Sequence, residues 1–170
     1  MKKPFLPIAF LMLLVLTSCQ KKGVRLFQGD YSYKTSGSVT VAETASENTT
    51  TPLAFGINLK NELGHLEIVN LDKENDSVLV VMNAMGGNVD VARAHTEDDR
   101  IRFADFTKKL HVVNLDLSLD FECPVTVHAE GNIYDGNLLL LKMQYEGEYA
   151  IMNKVYAIRG TDITLTAQRN

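Results

Sequence analysis

Residues 113–129 read VNLDLSLDFECPVTVHA, and apolar side chains occupy every odd position of these 17 residues. An alternation with a period of two is typical of a β-strand that buries one face. A straight strand of this length would reach about 56 Å, which is longer than a domain of this size is wide. We therefore expect the segment to bend, or to break into two strands, without losing its apolar face. Pro124 lacks an amide donor, and this indicates an edge or a bulge.

The same alternation recurs along most of the chain. Leu53, Phe55 and Ile57 alternate with small or polar residues, and three connected hairpins are predicted between Leu66 and Phe106. Asp135-Gly136 gives a further hairpin signal. After residue 18, no segment has the capped apolar spacing of a helix of about ten residues or more. The sequence predicts an all-β fold, an antiparallel meander of about 8–10 strands that closes into a barrel, with a two-layer sandwich as the alternative.

The amino-terminal residues form a different kind of segment. Lys2 and Lys3 precede an apolar run, Phe5–Leu16, which ends in Leu16-Thr17-Ser18-Cys19. Pro4–Leu16 would span about 20 Å as a helix, too short for a bilayer core of about 30 Å. A removed signal peptide is therefore favoured over a retained membrane anchor.

The four residues Leu16-Thr17-Ser18-Cys19 resemble the bacterial lipobox. This resemblance implies that Cys19 receives a diacylglycerol, that the chain is cut before it, and that the new amino terminus is acylated, with palmitate or a related chain. It divides the sequence into a signal peptide (1–18), a lipidated tether (19–28) and one all-β domain (29–170). Residues 20–22 lack the aspartate that retains such proteins at an inner membrane and the acidic cluster that sends others to the surface. We therefore expect the mature protein to be anchored in an outer membrane, on its periplasmic face.

Composition limits the functions that the mature chain can have. Without Lys2 and Lys3, 15 basic residues face 21 acidic ones, a net charge of −6. Nucleic-acid binding requires phosphate neutralisation by clustered Lys and Arg, so no nucleic-acid partner is expected. With Cys19 modified, Cys123 has no partner for an intramolecular disulfide. Its place in the apolar register predicts a small buried hydrophobic residue.

A strand that begins Gly29-Asp30-Tyr31-Ser32-Tyr33 follows the tether, and the order of elements resembles the lipocalin-like or calycin-like barrels of small bacterial lipoproteins. The resemblance covers residues 28–168, although the chain lacks tryptophan and therefore the Gly-x-Trp of true lipocalins. A barrel of about eight or more strands can enclose one small apolar ligand or lipid. The predicted lining residues are Leu53, Phe55, Ile57, Val113, Leu115, Leu117 and Leu119, with Met82 and Met143 as adaptable filler.

The alternative is a packed core with no ligand, in which the surface or an edge strand contacts a protein partner in the envelope. The side chains that would serve such a contact are Tyr31, Tyr33, Tyr134 and Tyr145.

Few residues suggest a catalytic site, a metal site or a site of modification. The four histidines, at positions 65, 95, 111 and 128, lack the paired spacing of metal ligands, so no metal or other cofactor is expected. Asp72-x-Glu74-x-Asp76 lacks the glycine of a calcium loop and is better explained as a hairpin turn. No nucleophile motif is present, which predicts a protein that is not an enzyme. Asp76-Ser77-Val78 matches an O-glycosylation pattern of exported bacterial proteins, making Ser77 a candidate for modification.

Overall fold

The computed structural model describes residues 23–44, 53–59, 62–71, 76–151 and 154–170. In these residues the chain forms one short helix and eleven strands. No helix in the described part has the length and apolar character needed to cross a membrane. The elements are α1 (Val24–Phe27), β1 (Gly29–Ser36), β2 (Ser38–Glu43), β3 (Ala54–Asn58), β4 (Glu62–Asn70), β5 (Ser77–Ala84), β6 (Val89–Glu97), β7 (Arg100–Phe103), β8 (Phe106–Asn114), β9 (Leu119–Tyr134), β10 (Leu138–Ile151) and β11 (Lys154–Arg169).

Eight of these strands form a closed antiparallel barrel. They pair in the order β1-β4-β5-β6-β7-β9-β10-β11, and β1 pairs with β11 to complete the circle. The predicted all-β barrel is therefore confirmed, and the sandwich is not formed. The hairpin of β9 and β10 is one that the sequence signals directly, because Asp135 and Gly136 both adopt positive φ in the turn between these strands.

The other three strands extend the wall at one end, which we call the upper end. β2 pairs with residues 156–159 of β11, β3 pairs with β2, and β8 pairs with the first half of β9. The wall formed by β4, β5 and β6 is shorter, because β5 turns into β6 at residues 85–88. The lower end carries the turns at residues 98–99 and 135–137, the start of β1 and the end of β11. The barrel is therefore asymmetric, with a higher wall on one side.

We had predicted that residues 113–129 would bend or break into two strands without losing their apolar face; the break is present, but the face is not kept. It is divided by a four-residue turn, 115–118, between β8 and β9. Val112 pairs with Phe121, and directly paired residues lie on the same face of a sheet. The inward side chains are therefore even-numbered in β8 and odd-numbered in β9. The prediction that Val113, Leu115 and Leu117 line the interior is wrong, since all three are exposed and Leu115 is 85% exposed.

The interior is filled by one continuous apolar core. Cys123 is buried in it, as predicted, and burial raises the pKa of its thiol to about 11. Three of the four tyrosines suggested for partner contact are also in this core: Tyr31, Tyr33 and Tyr145. Large aromatic rings at inward strand positions contribute more by packing than they would at the surface. Only Tyr134 of that set is at the surface, 51% exposed.

The lower end of the barrel is closed by α1 and by the last strand. Phe27 of α1 is fully buried in the core. Arg169, near the end of β11, donates hydrogen bonds to the carbonyls of Leu26 and Gln28 and to the hydroxyl of Tyr31. Its guanidinium carbon lies 5.1 Å from the centre of the Tyr31 ring, a cation–π arrangement. Residues 24–28, which we had assigned to the tether, thus pack against the barrel.

Candidate functional site

An ionic cluster lies inside the barrel, at the level where the shorter wall ends. Lys108 points inward from β8 and contacts Glu62, the first residue of β4, and Asp90 of β6. The distance from Lys108 Nζ to Asp90 Oδ2 is 3.1 Å. The side chains of Lys108 and Asp90 are only 11% and 9% exposed, and Glu62 is more accessible. Two carboxylates thus share one ammonium group in a largely buried position.

The backbone register explains how three distant residues meet. Lys108 lies between Phe106 and Leu110 in β8, and all three face inward. The aliphatic stem of lysine can pack among such neighbours while its ammonium group reaches a charged partner. A buried ion of this kind is tolerated only when it is paired, because desolvating an isolated charge is costly. The cluster therefore joins β4, β6 and β8 where the closed barrel meets the extended wall.

Two tyrosines surround the carboxylates. The hydroxyl of Tyr33 donates to Glu62 over 3.3 Å. Tyr33 faces Gly64 across β1 and β4, and a Cβ at Gly64 would lie 2.6 Å from the tyrosine ring. Only glycine leaves room for the ring there. Burial raises the pKa of Tyr33 and of Tyr145, and the negative charges of Glu62 and Asp90 raise both further.

The cavity at the cluster is very small. It has a volume of about 10 Å³ and is bounded by these polar groups and by Met82, Phe106, Met143 and Leu165. This is about the volume that one water molecule needs, and far below that of a pocket for an organic ligand. Met82 and Met143 do face inward, as predicted. The arrangement supports a structural role, since an ion-paired ammonium group has no lone pair for nucleophilic attack.

The predicted lining residues lie elsewhere. Leu53, Phe55 and Ile57 are half-buried in and beside β3, and Leu119 is half-buried at the start of β9. These four lie at the upper end, outside the barrel proper. Sequence alternation identified their apolar faces correctly, but it could not show that β3 is an added strand.

Half-buried apolar side chains gather at this upper end, and we call them the upper rim. Phe121 in the core stacks on Tyr149 with ring centres 4.8 Å apart, and Tyr156 lies 6.1 Å from Phe121. The rim consists of Phe55, Ile57, Leu119, Tyr149 and Ile151, all packed against the core but partly accessible. Three of its members, Phe55, Ile57 and Leu119, are among the predicted lining residues.

The histidines lie at or near the surface. His111 pairs with Asp120 and His128 with Asp105, each over 2.7 Å. In the described ranges no group of three or more His, Cys, Asp or Glu side chains is arranged to hold a metal ion. Ser77 is half-buried at the start of β5. Cys19, Asp72 and Glu74 lie outside the described residues.

Comparisons with known proteins do not assign this chain to a family. No family model and no curated protein matches the sequence. One similar solved structure is described as "Structure of EF1p2_mFAP2b bound to DFHBI"; it is 11% identical, covers 88% of this chain and 98% of that chain, and has a TM-score of 0.41. At this similarity, the ligand bound to that protein says nothing about this chain.

The buried tyrosines predict a loss of stability in alkali. A tyrosine in an unfolded chain ionises near pH 10, whereas burial delays ionisation of Tyr33 and Tyr145 to higher pH. The stability that their neutral forms provide is complete below about pH 10 and is lost as the pH rises above it. Urea unfolding between about pH 8 and about pH 11 should show this fall. Replacing Tyr33 and Tyr145 with phenylalanine should reduce the fall, and Tyr134→Phe should leave it unchanged. An equal fall in the double variant would contradict the assignment.

Proposed function

We propose that this protein is a lipid-anchored lipoprotein of the bacterial outer membrane, facing the periplasm, that acts without catalysis by contacting a protein partner. The lipobox-like Leu16–Cys19 supports the anchor. The amide of Gly23, four positions after Cys19, donates to the carbonyl of Asp98 at the lower end of the barrel. An anchor on Cys19 would therefore hold the lower end near the membrane and direct the upper end away from it.

The observation that carries the proposal is the contrast between a filled interior and an exposed upper end. Within the described residues, β3 and β8 each pair with one strand only, so both present a free edge. A free edge can pair with a strand of another protein. The turn after β8 also exposes Leu115 and Leu117. A partner strand along β8 would cover this apolar turn as well.

The contact can be tested by crosslinking in intact cells. A photo-reactive amino acid at position 115 should give a discrete crosslinked product with a protein partner. The matched control is position 85, because Met85 is also exposed in a turn but belongs to the shorter wall. Equal products at both positions, or none at position 115, would contradict a contact along β8 and the turn that follows it.

The anchor gives a separate prediction. Cys19→Ala removes the acceptor thiol, so the protein should leave the membrane fraction or remain as an uncut precursor. Each buried methylene of an acyl chain contributes about 0.8 kcal/mol, and two or three chains make the attachment effectively permanent. Cell fractionation measures the membrane association of both proteins, and the intact mass of the wild-type protein shows whether Cys19 carries acyl chains. The same mass spectrum reports any hexose on Ser77. Unchanged membrane association of the variant would argue against lipidation.

A small apolar ligand is a second candidate, supported by the half-buried side chains of the upper rim. Such a ligand would lie against Phe55, Ile57 and Tyr149 at the upper end, since the cavity that the described residues form at the ionic cluster holds at most about one water molecule. Delipidated protein exposed to lipid extract and examined by native mass spectrometry should then carry bound lipid. Tyr149→Ser should weaken binding, with Tyr134→Ser as the control. If the protein carries no lipid after this exposure, the ligand hypothesis is wrong and the contact with a protein partner is the candidate that is left.

A further inference from the structure

A groove on the outside of the barrel begins next to the place where the tether leaves. It lies over β5, β6 and β7, has a volume of about 500 Å³, and is lined by Leu71, Ser77, Arg93, His95 and Arg102. Its floor includes Ala94, Phe103 and Ala104. Ser77 pairs with His95 and His95 with Arg102, so these three side chains form one row across the strands. We call this feature the tether-side groove.

The position of the tether brings the groove close to any lipid anchor. Gly23 contacts the turn at Asp98, and a Cβ at Gly23 would lie 3.3 Å from the carboxylate of Asp76. Asp76 is the residue before Ser77 in the groove. Three residues separate Cys19 from Gly23, so the lipidated cysteine lies within about 14 Å of Gly23 even if this segment is fully extended. Lipid headgroups are then within reach of the groove.

The charge of the groove differs from that of its surroundings. The lower end carries Asp76, Asp98 and Asp99, and the mature chain has a net charge of −6. The residues that line the groove include two arginines and a histidine but no carboxylate. Arg93 has no ion-pair partner among the described residues, while Arg102 lies 3.6 Å from Glu130. A guanidinium group can bind a phosphate through two parallel hydrogen bonds.

We propose that the tether-side groove is the surface that faces the bilayer, with Arg93 and Arg102 bound to lipid phosphates and Leu71 inserted among the headgroups. The inference rests on the lipid anchor of the proposed function. Leu71 is 45% exposed at the lower edge of the groove, where an apolar side chain meets the interface first. The acidic turns beside the groove are repelled by anionic lipids, so this contact also fixes which side of the barrel faces the membrane.

The test uses the full lipidated protein in phosphatidylcholine vesicles, with and without phosphatidylglycerol. Leu71→Cys provides a site for a fluorescent label, because Cys123 is buried and Cys19 carries lipid. Brominated lipids should quench the label, more strongly when phosphatidylglycerol is present. Adding Arg93→Ser and Arg102→Ser should reduce the quenching about fivefold or more. Lys34→Ser with Arg159→Ser removes the same charge from exposed positions on β1 and β11 and should not change it.

The possible results separate the inference from the proposed function. Protein that fails to associate with vesicles at all contradicts the lipid anchor. Vesicle-bound protein with an unquenched label, or with quenching that survives loss of both arginines, overturns the groove as the membrane-facing surface. Inorganic phosphate is the remaining probe. Saturable binding of phosphate that requires both arginines, together with an unquenched label, would assign the groove to a free anion and also overturn the inference.

Discussion

Lys108→Met is expected to lower the free energy of unfolding by about 3–5 kcal/mol, because it leaves two largely buried carboxylates without their shared cation. Methionine fills nearly the same volume as the lysine stem, so the loss is electrostatic rather than a cavity effect. Glu62 and Asp90 would then repel each other, while the hydroxyl of Tyr33 would still donate to Glu62. Urea unfolding followed by circular dichroism measures the change.

Two further variants separate the charge from the packing. Lys109→Met changes the next residue of β8, which is exposed, and should alter stability by less than about 0.5 kcal/mol. The triple variant Lys108→Met, Glu62→Gln, Asp90→Asn removes every charge of the cluster and should recover much of the loss, since replacing a whole buried ion group is often close to neutral. A triple variant that is as unstable as Lys108→Met alone would show that packing dominates.

The barrel could be predicted because its hairpins are specified by short stretches of sequence. Alternation over residues 119–133, the Asp135-Gly136 turn and the short polar links between strands each specify a hairpin without long-range contacts. The closure of β1 on β11 follows when many consecutive antiparallel strands twist in the same direction. What the pattern could not give is the role of β2, β3 and β8. Whether a strand joins the barrel or extends its wall depends on pairings between residues far apart in sequence.

The error at residues 113–117 has a specific cause. Leu115-Asp116-Leu117-Ser118 continues the period-two alternation through the turn, and it contains no glycine or proline to mark a change of direction. Ser118 instead adopts a φ of 53°, a conformation in which a non-glycine residue is uncommon. The apolar side chains of the turn therefore look like part of a buried face but are exposed.

The ionic cluster was not found from sequence for a different reason. Glu62, Asp90 and Lys108 belong to three strands, and each is an ordinary charged residue of a β-protein when considered alone. The available signal was the register of Lys108, which lies two residues from Phe106 and two from Leu110. A charged residue within an apolar face requires a partner from another strand, but the sequence does not identify that partner.

Arg169→Met is expected to cost about 2–4 kcal/mol, because one side chain supplies several contacts at the lower end. Its guanidinium group donates to two carbonyls near α1 and to the Tyr31 hydroxyl, over 2.6 Å in the last case. Burial raises the pKa of Tyr31, and Arg169 offsets part of that rise, so the variant should ionise Tyr31 at still higher pH. Arg159→Met, at an exposed position of the same strand, is the matched control.

Hydrogen exchange at Gln28 distinguishes the loss of α1 from the lower end of the barrel from general destabilisation. The amide of Gln28 donates to the carbonyl of Val24 in α1. If Arg169 holds α1 in place, Arg169→Met should accelerate exchange there well before it affects the middle of β10. Release of α1 would also move the first residue held by the barrel from Gly23 to Gly29, so the greatest distance that the chain can span from Cys19 would rise from about 14 Å to about 35 Å. The label at position 71 should then lose contact with the bilayer although the lipid stays attached. Exchange at Gln28 that matches the rest of the barrel would show that Arg169 stabilises the fold without fixing the tether.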